Sequence, residues 1–219
     1  MTEKFTELIM NDVKPVGPRF SEDQMRTVVK VLDFTSQVWI NCEDQTNMFH
    51  APCGSIFSKI AVKIRNDLKD HSQFLQYPSS LFYSLGLTFA DQSRSERDRL
   101  SAEMSVLFIK WGHFVEDQSP TEFVDPVVLT KGLGAALRHL ETVKRNQSSL
   151  MRTIECGYCE IEKSDCSTAD DVLHCLVTAA SSAETYANTN LVHGIKVAES
   201  HLVGITLRSI YQAFKLTSN

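Results

Sequence analysis

Glycine and proline are scarce in this chain, 9 and 6 among 219 residues, and Pro15, Pro18, Pro52 and Pro78 all fall before residue 80. Punctuation this thin excludes a fold made of many short strands and tight turns, and it favours long helices. No apolar run approaches the ~18 residues of a membrane span. The N-terminus, MTEKFTELIMND, lacks the basic-then-apolar layout of a signal peptide. Those two absences make a soluble, cytoplasmic chain the expectation, and in that compartment the 6 cysteines stay reduced. No Lys or Arg occurs between Lys163 and Lys196, and the net charge is −5. The net charge argues against nucleic acid as the main partner, because phosphate binding needs a concentrated basic surface. Strand-like alternation of useful length and internal repeats are also missing.

What remains is helical periodicity. From about Thr168 to Leu216, apolar or small residues recur in steps of three and four at Leu173, Leu176, Ala180, Ala183, Ala187, Leu191, Ile195, Ala198, Leu202, Ile205, Ser209 and Ala213. That spacing places them on one helical face. Read as one rod, the stretch spans roughly 65–70 Å at the helical rise. Such a rod must lie along other long helices, and its small residues near Ala179–Ala183 allow close approach. Leu191, Ile195, Leu202 and Ile205 are its candidate core or dimer-seam positions.

Earlier in the chain, residues 1–20 read as a loosely held tail, and residues 21–219 as a single helical domain. Ser21-Glu22-Asp23-Gln24 is a capping box opening a first helix. Pro52, Gly54 and Tyr77-Pro78 break that helix before about residue 90. A second helix, from about 98 to 164, kinks at Asp117-Gln118-Ser119-Pro120 and restarts at Thr121-Glu122-Phe123-Val124-Asp125-Pro126. Gly132 and Gly134 inside it permit a close helix crossing. The expected architecture is an all-α, elongated antiparallel bundle of three long helices, the first two kinked or broken and the third continuous.

Leu81-Phe82-Tyr83-Ser84-Leu85-Gly86 closing helix one, then a polar gap, then Lys131 to Arg145 with Ala135-Ala136-Leu137-Arg138, resembles the BAR region of sorting nexins, as does the closing run Leu191 to Leu216. The resemblance implies a dimeric scaffold in endosomal membrane traffic or curvature sensing. Its partners are a second copy or another BAR-type protein, with peripheral contact to anionic endosomal membrane. No enzymatic activity and no cofactor are expected. The chain leaves no room for the phosphoinositide-reading module of that family, and the cation-free stretch 164–195 weakens the lipid surface. A helical adaptor that has lost lipid binding is therefore the alternative. If lipid is touched, the candidates are Lys131, Arg138, Arg145 and Arg152, spaced by seven along one face.

A third reading is a metal-binding bundle built on Cys156, Cys159, Cys166, Cys175 and His174, which bring thiols and an imidazole within twenty residues. Their spacing matches no standard zinc module, so the thiols are expected to be free and metal-free. Asp170 and Asp171 follow Ser167-Thr168, where acidic residues meet a helix N-terminus, which makes them helix-capping groups rather than a catalytic pair. No histidine pair has metalloprotease spacing, and no nucleophile elbow or phosphate loop is present.

Overall fold

The structure is a computed structural model, and it describes residues 17–44, 53–70, 73–92, 99–118, 122–143, 148–164, 168–189, 191–192, 195–196 and 198–217. The architecture is all-α. Eight helices run in order among the described residues: α1 (Glu22–Asp44), α2 (Cys53–Lys69), α3 (Pro78–Gln92), α4 (Arg99–Gln118), α5 (Pro126–Val143), α6 (Ser149–Lys163), α7 (Ala169–Thr189) and α8 (Ala198–Thr217). A short 3-10 turn, Gln73–Gln76, precedes α3, and a two-strand hairpin, β1 (Leu191–Val192) and β2 (Ile195–Lys196), precedes α8. Among the described residues, no helix is long and apolar enough to cross a membrane.

Eight helices replace the three rods expected from the sequence, and two breaks account for most of the difference. The supposed third rod stops at Thr189 and resumes at Ala198. Between these points Leu191 pairs with Lys196 and Val192 with Ile195 in antiparallel register. Asn188, Thr189 and Asn190 are weak helix formers, and the β-branched Val192 and Ile195 suit a pleated ladder, so local preference overrides the helical spacing. The supposed second rod contains an extra start at Ser148. That residue is extended (φ −67°, ψ 160°), and its hydroxyl accepts from the Met151 amide at 3.3 Å, as an N-cap does.

The chain divides into two compact units. One comprises residues 1–21 and 71–143, the other residues 22–70 and 144–219. In the first unit, α4 packs between α3 and α5. Its core contains Leu81, Phe82, Leu85 and Phe89 of α3, Met104, Leu107 and Val115 of α4, and Ala136, Leu137 and Leu140 of α5. Gly86 lies where a β-carbon would stand 2.7 Å from Ile109 Cγ1, and Gly132 where one would stand 2.8 Å from Trp111 Cδ1. Gly86 thus lets α3 approach the α4 backbone, and Gly132 makes room on α5 for the Trp111 ring. Phe82 stacks on Trp111 at 4.1 Å between centroids, and Trp111 donates its indole N–H to the Leu129 carbonyl at 2.8 Å.

In the second unit, α8 packs on α1, α6 and α7, while α2 packs on α1. Ile56, Ile60 and Ile64 bury the i, i+4 stripe of α2, and Trp39 of α1 meets the edge of Phe57. The small-residue stripe of α7 behaves as its spacing predicts. Ala179, Ala180, Ala183 and Ala187 are fully buried, and a β-carbon on Gly157 of α6 would lie 3.9 Å from that of Ala183. Thr168 caps α7: its hydroxyl donates to Asp171 at 2.6 Å and accepts from the Asp171 amide at 3.2 Å. Asp171 is therefore a capping group, and Asp170 beside it stands in the first turn, as the sequence indicates.

Candidate functional site: the Arg19–Phe123 surface

The start of α5 is built by a small clasp in the first unit. Asp125 caps the helix, its carboxylate accepting from the Val127 amide at 2.8 Å, and Pro126 occupies the first turn where no amide is needed. Just upstream, Arg19 forms a parallel bridge with Phe123. The Arg19 amide donates to the Glu122 carbonyl and the Val124 amide to the Arg19 carbonyl, each at 2.9 Å. Phe20, whose amide donates to the Gln76 carbonyl at 2.8 Å, and Val124 turn inward and are buried. Phe123 turns outward.

Extended pairing thus places alternate side chains on opposite sides, and the outer side carries exposed apolar residues. Phe123 is 44% exposed, and Val127, four residues on in the first turn of α5, is 53% exposed. The Arg19 guanidinium lies 5.3 Å from the Phe123 ring centroid and also pairs with the Glu122 carboxylate. Along α5 the same exposed face continues through Lys131 to Arg138. The patch therefore carries an aromatic and an aliphatic residue at its centre, with Arg19 and Lys131 as cations and Glu122 and Asp125 as anions around them. Arg and aromatic residues together are typical of binding hot spots.

Elsewhere, polar side chains pair with one another. In the second unit Arg208 grips Glu184 with two parallel bonds, Nε to Oε1 at 2.9 Å and Nη2 to Oε2 at 2.8 Å, and Nη2 also reaches Ser181 Oγ at 3.4 Å. The hydrogen bonds from Arg208 hold the Glu184 carboxyl below its ordinary value, so it is a structural anion and a poor base. In the first unit Tyr83 donates to Glu116 at 2.8 Å; burial first, and that bond second, push its phenol far up, so it keeps its proton.

The sequence candidates are placed as follows. Lys131 and Arg138 are exposed on α5 of the first unit, and Arg152 is exposed on α6 of the second. Arg145 lies outside the described residues. The heptad-spaced line is not a single helical face, because α5 ends at Val143 and α6 begins at Ser149. Leu202 is 3% exposed within its own bundle, whereas Ile205 is 37% exposed. Leu191 and Ile195 belong to the hairpin rather than to a helical seam. Cys156, Cys159 and Cys175 are free, and among the described residues no group of three or more His, Cys, Asp or Glu could hold a metal ion. Cys166 lies outside the described residues.

Arg19, Phe123 and Val127 were not legible as a site. Phe123 sits in a cap-forming sequence and Arg19 follows Gly17-Pro18, so each reads as loop. The available signal was a phenylalanine placed before an Asp-Pro helix start, beyond the Val124 that fills the inward position.

No model of a known protein family matches the sequence, and no curated protein does. Among solved structures, the chain is similar to part of the dihydroxyacetone kinase of C. freundii. The native form gives a TM-score of 0.61 at 10% identity, covering 92% of this chain and 36% of that one. The complex with AMP-PNP and Mg2+ gives 0.63 at 11%, with the same coverage. The chain thus spans about a third of the kinase's length, and at this identity the likeness is one of fold.

Proposed function

We infer that this chain is a non-catalytic helical scaffold that associates with a second copy of itself through the Arg19–Phe123–Val127 surface. The observation that supports this reading is the exposed Phe123 and Val127 at the centre of a patch bearing both signs of charge. A two-fold axis through such a patch sets apolar centre on apolar centre and the cations of one copy against the anions of the other, which is the self-complementarity an isologous dimer needs. The buried seam residue Leu202 is engaged inside its own bundle, so dimerisation through α8 is not part of this reading.

Light scattering across micromolar concentrations tests it. The native chain is expected at twice the monomer mass, and F123D/V127D at the monomer mass with unchanged helicity. A monomeric native chain overturns the reading.

A second reading has one observation in its favour, the fold shared with a kinase whose solved complex contains AMP-PNP and Mg2+. Among the described residues, no group of three or more His, Cys, Asp or Glu could hold the cation. Thermal unfolding with AMP-PNP and Mg2+ separates the readings, since a binder of millimolar or better affinity raises the midpoint in proportion to the logarithm of concentration.

A further inference from the structure

The described thiols form one pair that the scaffold reading does not use. Cys156 and Cys159 lie three residues apart on α6, both partly exposed, while Cys175 is 3% exposed on α7. Residues at this spacing share a helical face with β-carbons about 5–6 Å apart. A disulfide needs about 3.5–4.5 Å between β-carbons. At that spacing a direct disulfide would have to distort the helix, whereas a single bridging atom lengthens the span two thiols can close. With no third donor converging from the described residues, the pair also falls short of the four ligands of a structural zinc site.

We propose that Cys156 and Cys159 are a bidentate site for a trivalent arsenical, an organic arsenoxide being the simplest member of the class. In the exchange, two As–S bonds form while the two S–H bonds and the arsenic–oxygen bond break. The oxygen leaves as water with both thiol protons, arsenic remains trivalent, and no oxidant is required.

The surroundings set the protonation of the pair. Burial raises the affinity of both thiols for their protons. At Cys156 the neighbouring Cys159 and then Glu155 add to it, while at Cys159 Glu155 adds and Lys163 opposes. The arsenical product is uncharged, like the two protonated thiols it replaces, so the acidic flank exerts no electrostatic penalty on the bound state. Ser182 donates to the Cys156 carbonyl at 3.5 Å, tying this turn of α6 to α7.

Phenylarsine oxide added to the full chain in equimolar amount tests the site by intact mass. The expected result is a gain of one phenylarsine oxide less one water, stable to excess glutathione and reversed by ethanedithiol. C156S and C159S should each abolish the glutathione-stable adduct, while C166S, C175S and C42S/C53S retain it, all with native circular dichroism. A native chain that acquires no such adduct, or a C156S/C159S chain that acquires it fully, overturns the assignment.

Discussion

Gly204 of α8 stands where a β-carbon would lie 2.6 Å from Cγ of Glu184 on α7. The same carboxylate is held in both forks of Arg208, one helical turn further along α8. The missing side chain and the ion pair are thus one arrangement: glycine clears the path by which Glu184 crosses α8 to reach Arg208.

Replacing Gly204 by Ala should therefore destabilise the fold by about 1–3 kcal/mol through overpacking. In an E184A background the same change should cost clearly less, because the obstructing methylene is gone. Urea unfolding of the four chains closes the double-mutant cycle, and equal costs in both backgrounds would show that Gly204 and Glu184 act independently.

Acid weakens this contact in a defined direction. Arg208 lowers the Glu184 carboxyl below its ordinary 4.5, so its contribution is fully present above that value and is lost as pH falls through the lower native one. Both partners are part-exposed, which limits the effect to about 1 kcal/mol or less. The stability difference between native chain and E184Q should be constant from pH 6 to 8 and shrink below pH 4.5. A difference that grows on acidification would contradict the sign.

The cap of α7 offers an independent check. Thr168→Ala removes the hydroxyl that exchanges hydrogen bonds with Asp171, and a loss of about 0.5–2 kcal/mol is expected. Thr168→Ser, which keeps the oxygen, should recover most of it in thermal melts.

Much of this fold could be read from the residues, and the misreadings share a cause. Ser21, Pro78 and Asp125-Pro126 announced helix starts because capping chemistry is local, and Gly132 announced a close crossing because a glycine inside a helical pattern needs a packing reason. The break at Ser148 was equally local, yet the apolar spacing on either side of it masked the cap. At 190–197 the periodicity of Leu191, Ile195 and Ala198 imitated a helix, whereas β-branched residues near Gly194 and the Asn-Thr-Asn stretch favoured a hairpin. The Arg19–Phe123 contact joins residues about a hundred positions apart in sequence, and no spacing rule reaches that far.

Lipid binding is a separate expectation for the basic residues. Lys131 and Arg138 share α5, but Arg152 stands on α6 in the other unit. Two cations near an anionic leaflet contribute about 2 kcal/mol, set against a net charge of −5. Phosphatidylserine liposomes should leave the protein in the supernatant at 0.15 M salt, and salt-sensitive pelleting abolished by K131E/R138E would restore the membrane reading.

The central claim is that the Phe123–Val127 surface is covered by a second copy. Hydrogen exchange measured at several protein concentrations addresses it directly. Amides around residues 122–131 should become more protected as concentration rises through the dimer transition, while those of α7 stay unchanged. Exchange at 122–131 that is independent of concentration in a chain otherwise seen to dimerise would contradict the account.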